Sequence, residues 1–294
     1  MKKTLKILGI VVLIGGGLYA AYVGYVTYKW RQYLPSTEIA VNGVDREYHL
    51  FVPANPPEGP MSLLVLLIGG DASSWKFPQQ SQFEELAEKE GIIIAFGVGK
   101  LVPPNEGAWQ LNTDAQSMQD IDYVGAVIDD ISGNHSVDQA EVYAVGYSLG
   151  SMFSYELACH MSERFAAIAS FAGTMPVAPN SCEPERNVPI MHIHGFKDPI
   201  IAYGHTWDWK SWDSVGTMRD VPSLVQYWSD KYNCQNESEQ ESELATHFVF
   251  DDCDQDARIE HYRLADVTHS WPESINGVPT YQVIWSFLSS FTMP

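Results

Sequence analysis

The string Gly146-Tyr147-Ser148-Leu149-Gly150 sets one hydroxyl between two residues that lack side chains, directly after the apolar run Glu141–Val145 and before a helical pattern. A strand-to-helix turn of that kind leaves no room for a Cβ two residues before or after its apex, so the glycines are a steric requirement. Its product is an exposed Ser148 hydroxyl at a helix N-terminus, where backbone N–H groups and the helix dipole favour developing negative charge. The chemistry open to such a group is acyl transfer, with Oγ attacking a carbonyl carbon. Serine at neutral pH is a weak nucleophile. It needs an imidazole to take its proton, and the imidazole needs a carboxylate to fix its tautomer.

In strand–turn–helix sites of this type the partners follow in the order acid, then histidine. His194-Gly195-Phe196-Lys197-Asp198-Pro199 comes straight after the apolar run Pro189–Ile193, which makes Asp198 the predicted acid. Among the later histidines, His261 lies within the alternating run Arg258–Leu264 and His247 precedes a short strand-like stretch. His269 sits in the loop Asp266–Pro272, after that last strand and before the final helical pattern, and is the predicted base. His192 and His194 face one side of a strand as a metal pair would, but no third ligand of suitable spacing accompanies them, and no metal or other cofactor is expected.

These residues need a frame. Glu38–Val41 and Arg46–Val52 flank Asn42-Gly43, a two-residue hairpin signal. Ser62–Ile68, Gly91–Phe96, Glu141–Val145, Ala166–Phe171 and Pro189–Ile193 are short, nearly continuous apolar runs, the mark of strands buried on both faces in a parallel sheet. Helical patterns fall between and after them, at Gln80–Lys89, Ser117–Ile131, Ser148–His160 and Thr280–Phe291. The alternation predicts one α/β domain over residues 35–294, a mostly parallel central sheet with helices on both faces. Residues 203–243, rich in Trp and then in Asp, Glu, Ser and Gln, interrupt the rhythm and read as an insertion over one end of the sheet.

The strings around Ser148, Asp198 and His269-Ser270-Trp271-Pro272 resemble the signature of the secreted α/β-hydrolase family that groups polyhydroxybutyrate depolymerases with feruloyl and acetylxylan esterases. The resemblance runs from about Tyr48 to Phe291 and extends to Tyr203-Gly204 and to the four cysteines. It implies an α/β-hydrolase fold, an extracellular or cell-surface esterase with nucleophile Ser148, acid Asp198 and base His269, and the disulfides Cys159–Cys182 and Cys234–Cys253. By the residues alone, four cysteines allow three pairings. The oxyanion is expected on the backbone N–H groups of Leu149 and Gly70. One position departs from the family: Ile68 stands where a His-Gly pair usually opens the loop, which removes a buried polar brace but leaves the backbone donors. Trp109, Trp271 and Tyr203 are the expected substrate-binding side chains, with Trp75 and the Trp207–Trp212 cluster as further aromatic candidates.

The chain has 294 residues, 45% hydrophobic, and a formal charge of -20. Lys2, Lys3, Lys6, Lys29 and Arg31 all precede the first acidic residue, so the body is more acidic still and repels phosphate backbones. Nucleic acid is excluded as a partner. The uncharged run Ile7–Val26, about 20 residues at roughly 1.5 Å each, matches a hydrocarbon core. Residues 1–34 are therefore read as a transmembrane signal anchor, or a signal peptide if cleaved, with the catalytic domain outside the cytoplasm or secreted. The leading expectation is an exported serine esterase acting on small or oligomeric carboxylic esters. Two other readings share the motifs: a weakly active or inactive hydrolase-fold surface protein that binds a glycan or protein, suggested by Ile68 and the Trp-rich stretch, and an exported peptidase.

Overall fold

Buried β-branched and aliphatic runs organise the chain around one ten-stranded sheet. The computed structural model describes residues 34–70, 75–101, 108–114, 118–209 and 215–294, with Tyr19 and Tyr22. The apolar run Ile7–Val26 lies outside the described residues apart from those two tyrosines; among the described residues no helix is long and apolar enough to cross a membrane. The segment Glu38–Pro294 forms one compact unit.

In chain order the strands of the main sheet are β1 (Ser36–Val41), β2 (Val44–Phe51), β3 (Met61–Leu67), β4 (Ile92–Gly97), β5 (Val137–Tyr147), β6 (Ala167–Phe171) and β7 (Ile190–Gly195). Two short strands, β8 (Trp207–Asp208) and β9 (Thr217–Met218), pair only with each other, and β10 (Asn236–Glu241), β11 (Ala245–Asp251) and β12 (Ile259–Leu264) rejoin the main sheet. A last small pair, β13 (Ser274–Ile275) and β14 (Val278–Pro279), precedes the final helix. The helices are α1 (Gln80–Glu90), α2 (Gln119–Asn134), α3 (Leu149–His160), α4 (Val221–Lys231) and α5 (Thr280–Leu288).

The sheet order is β1-β2-β4-β3-β5-β6-β7-β12-β11-β10. From β4 through β12 all neighbours run parallel, while β2 against β4, and β11 and β10 beyond β12, are antiparallel. The parallel strands are buried because helices cover them, and their apolar runs reflect that: every residue of β4, β6 and β7 is buried. Asn42 and Gly43 take the positive φ values (51° and 78°) that a two-residue hairpin between β1 and β2 needs.

The stretch 203–243 differs from the expected insertion. Part of it is structure of the domain itself. Asp220 caps α4 by accepting from the Ser223 amide, Pro222 occupies the first turn, and Val221, Leu224, Val225 and Trp228 bury one face. β10, all polar and fully exposed, still pairs along β11. Its sequence, NESEQE, lacks any apolar alternation, so nothing in the residue pattern marks it as a strand; it pairs with the backbone of β11 in a hairpin whose base is closed by the Cys234–Cys253 disulfide.

Candidate active site

Three chain segments converge at the carboxyl ends of β5, β7 and β12. Ser148 follows β5 and opens α3 with φ 55° and ψ -119°, a backbone conformation costly for a residue with a Cβ. The glycines around it are enforced by contact. A Cβ on Gly146 would lie 2.2 Å from the Gly150 carbonyl oxygen, and one on Gly150 would lie 2.2 Å from the Leu67 and 2.3 Å from the Ile68 carbonyl oxygens. The Ser148 amide donates to the Phe171 carbonyl at the end of β6 (2.9 Å), which ties the turn to the neighbouring strand.

His269 Nε2 lies 2.8 Å from Ser148 Oγ, and His269 Nδ1 lies 2.7 Å from Asp198 Oδ2. The loop carrying Asp198 and the loop carrying His269 are zipped together: Phe196 N–H donates to the Leu264 carbonyl (2.8 Å) and Lys197 N–H to the Val267 carbonyl (3.0 Å). Gly195 permits the crossing, since a Cβ there would meet the Val267 and Thr268 carbonyls at 2.3 and 2.4 Å. Asp198 Oδ1 accepts from the backbone N–H groups of Ile200 (2.8 Å) and Ile201 (2.9 Å), and His194 Nε2 stands 3.4 Å from Oδ2. Burial works to raise the Asp198 pKa, but donation from His194, His269 and the two amides outweighs it and holds the carboxyl well below the usual carboxylate range. An acid that stays ionised can keep the N–H of His269 on Nδ1 and leave Nε2 free to accept the serine proton.

His269 is pinned from two sides. Tyr147 donates its hydroxyl to the His269 carbonyl (2.8 Å). Gln79 accepts from Trp271 Nε1 (2.9 Å) and from the Tyr281 amide (3.2 Å), and donates to the Glu273 carbonyl (2.8 Å), clamping the histidine loop to the segment before α1. Neither residue is expected from the motif. Tyr147 occupies a variable position of it, and Gln79 is nearly two hundred residues away in sequence with no local signal.

Of the predicted oxyanion residues, Leu149 starts α3, and the Gly69–Gly70 segment lies beside the nucleophile: a Cβ on Gly69 would be 3.2 Å from Ser148 Cβ and 3.7 Å from Oγ. The brace missing at Ile68 has a substitute, because Trp109 Nε1 donates to the Ile68 carbonyl (2.8 Å). Trp109 itself is a correction. It is 0% exposed and stacked on Phe153 with centroids 5.0 Å apart, so it supports the loop and presents no face to substrate. Tyr203 is also corrected: it is buried, its ring stacked on His261 and its hydroxyl 3.0 Å from His261 Nε2. Both were expected at the pocket because large aromatics suit either a core or a binding wall, and residue type does not distinguish the two. Trp75 stacks on His49 (4.4 Å).

Trp271 does lie at the site, half-buried, with its ring 4.7 Å from Phe171, 5.4 Å from Phe77 and 6.0 Å from Tyr147. A cleft of about 380 Å³ is lined by Ile68, Gly69, Gly70, Lys76, Phe77, Pro78 and Tyr147, adjoining the nucleophile through Gly69. The cysteines form Cys159–Cys182 and Cys234–Cys253. His192 and His194 are engaged with each other, Nε2 to Nδ1 at 3.2 Å. Among the described residues no group of three or more His, Cys, Asp or Glu could hold a metal ion.

Fold and geometry together define an α/β-hydrolase-like protein with a serine, a histidine and an aspartate in hydrogen-bonded sequence. The Dienelactone hydrolase family matches residues 105–215, the stretch that includes Ser148 and Asp198. The chain is 27% identical over 259 residues to a bifunctional acetylxylan esterase/xylanase from Neocallimastix patriciarum, covering 85% of this chain and 34% of that protein. It is 23% identical over 230 residues to feruloyl esterase B from Piromyces equi, covering 77% of this chain and 41% of that one. The chain thus spans less than half the length of these relatives. In structure it resembles an acetyl xylan esterase from Aspergillus awamori (TM-score 0.63, 12% identity, 87% of this chain and 99% of that chain). It also resembles a ferulic acid esterase from Anaeromyces mucronatus determined with ferulic acid (TM-score 0.53, 10% identity, 88% and 90%). At such identities the structural likeness carries the fold. The resemblance to feruloyl and acetylxylan esterases read from the motifs is borne out by these relatives.

Proposed function

We propose that the protein is an exported serine esterase that hydrolyses small or oligomeric carboxylic esters through an acyl-enzyme. The observation that carries this is the unbroken line from Ser148 Oγ to His269 Nε2 (2.8 Å) and from His269 Nδ1 to Asp198 Oδ2 (2.7 Å). Ser148 Oγ attacks the ester carbonyl while His269 Nε2 takes its proton. The carbonyl electron pair moves onto oxygen, where the N–H groups of Leu149 and Gly70 receive it. Collapse expels the alkoxide, which leaves with the proton returned by His269, and water repeats the sequence to free the acid. Asp198 stays ionised throughout and holds the imidazole.

Two features favour an aromatic or short acyl group. The cleft of about 380 Å³ is of small-molecule size, and Phe77 and Tyr147 line it with Trp271 packed behind. Relatives named as feruloyl and acetylxylan esterases support the same class. Export rests on the two disulfides and on the basic-then-apolar start of the chain, read as an anchor or signal peptide at residues 1–34. The test is hydrolysis of acetyl, feruloyl and hydroxybutyrate p-nitrophenyl or methyl esters by the full chain and by Ser148→Ala. Turnover is expected from the first and loss of about 10⁴-fold or more in the second; equal turnover by both overturns the reading.

A further inference from the structure

Behind the acid, the sheet carries a line of buried polar side chains that the acyl-transfer steps leave unused. His192, His194 and His261 are each no more than 3% exposed. Tyr155 Oη lies 2.7 Å from His192 Nδ1, with Ser170 Oγ at 3.2 Å from the same nitrogen; His192 Nε2 lies 3.2 Å from His194 Nδ1. His194 Nε2 lies 2.9 Å from the Ile201 carbonyl oxygen and 3.4 Å from Asp198 Oδ2.

The direction of every bond in this line follows from its end. A carbonyl oxygen only accepts, so His194 Nε2 must carry a proton. The Nε2–H tautomer of His194 leaves its Nδ1 as an acceptor; His192, which burial holds well below its ordinary value, is then the donor at Nε2 and the acceptor at Nδ1, with Tyr155 the hydroxyl donor. His261 is fixed in the opposite sense. Its Nδ1 faces the His192 carbonyl at 3.1 Å and must be the donor, so its Nε2 accepts from the Tyr203 hydroxyl at 3.0 Å.

We propose that His194 is a positioning residue for the acid: its Nε2–H, shared between the Ile201 carbonyl (2.9 Å) and Asp198 Oδ2 (3.4 Å), bears on the same oxygen that meets His269 and so aims the carboxylate at the base. This rests on the triad reading given above. The carboxylate then has a partner in every direction, Ile200 and Ile201 amides on Oδ1, His269 and His194 on Oδ2. The groups facing Asp198 are His194 from β7, His269 from the loop after β12, the ring of Tyr147 from the end of β5 and the two amides. Those facing His194 are His192 on its own strand, His261 and Arg263 from β12, and the Tyr203 ring. Arg263 is directed to the Thr246 hydroxyl (2.8 Å).

An N–H donated to a carboxylate withdraws charge from it. Its loss makes the Asp198–His269 couple bind its proton more tightly and moves the acid limb of serine reactivity to higher pH. Two measurements on the full chain test the proposal. Long-range ¹⁵N–¹H spectra of the histidine rings at about neutral pH are expected to give Nε2–H tautomers for His192 and His194 and an Nδ1–H tautomer for His261; an Nδ1–H tautomer at His194 overturns the proposal. The second is the pH dependence of labelling of Ser148 by a fluorophosphonate. His194→Phe should slow labelling by about tenfold or more, the scale on which losing an outer hydrogen-bond partner weakens a metal-bound ligand, and raise the acid limb. His194→Gln, which keeps an N–H donor, should recover most of both effects. Tyr155→Phe should move the limb the same way by less, and it carries the test if His194→Phe does not fold. An acid limb that stays in place in the folded variants overturns the proposal. A wild-type chain that takes no label while showing the expected tautomers overturns the triad reading, and with it the role assigned to His194.

Discussion

Strand β5 divides the sheet into two halves that hold the site by different means. In strands β3 and β4 themselves the buried runs Leu63 to Leu67 and Ile92 to Phe96 are all apolar, and the Ser148 turn beside them is fixed by close backbone approach at Gly146 and Gly150. On the β6, β7 and β12 side the equally buried Ser170, His192, His194 and His261 are linked by hydrogen bonds, and it is this half that delivers Asp198 and His269. The lesson concerns what each function requires. A nucleophile must be strained and exposed, which packing alone can impose; a carboxylate must be oriented and kept charged away from water, which takes donors. A buried polar group without partners would cost a few kcal/mol, so the second half is either satisfied throughout or a source of instability.

The comparison breaks first at Gly150. Gly150→Ala sets a methyl 2.2 Å from the Leu67 carbonyl, and is expected to lose activity together with more than about 3 kcal/mol of stability in urea unfolding. A change of under about 1 kcal/mol would mean that packing does not fix that half. Next comes acid. Burial, against a single supporting bond to the His192 carbonyl, and with repulsion from His194, Arg263 and His247, pushes His261 down to about 3. A histidine free in the unfolded chain protonates near 6.5. Its contribution to stability is therefore complete above about pH 6.5 and falls by up to roughly 1.4 kcal/mol per pH unit between there and about pH 3. Melting temperature followed down this range should drop, and His261→Phe should flatten the drop; parallel curves would remove His261 from the account. Smaller again is Trp109→Phe, which keeps the stack on Phe153 but frees the Ile68 carbonyl. About 1 kcal/mol is expected in unfolding, with a loss of turnover below about tenfold. The least change is expected from Gly70→Ala, where a Cβ meets nothing within 4 Å: stability within about 0.5 kcal/mol of the parent, so that any fall in kcat reports on the backbone donor rather than on packing.

The three side chains of the proposed triad were legible because each is announced locally. Ser148 has its glycines, Asp198 follows an apolar strand, and His269 follows the last strand of the main sheet. Strand and helix positions came through the apolar runs for the same reason; β3, β4, β6 and β7 are buried on both faces and their composition says so. What stayed hidden depends on the tertiary arrangement. Gln79 reaches the histidine loop only once α1 is docked, Trp109 and Tyr203 turn inward by packing that residue type does not reveal, and β10 has no apolar pattern because nothing covers it.

That bare outermost strand has its own effect on how molecules meet. Glu237, Glu239 and Glu241 stand along the open margin of the sheet, every residue of the strand exposed, on a chain of net charge -20. Any second copy that tried to extend the sheet by pairing there would bring one row of carboxylates against another, and the repulsion would be felt over roughly 8 Å in physiological salt. The margin thus keeps a long, hydrogen-bond-hungry edge from acting as a template, and concentrated salt is the condition under which that protection weakens.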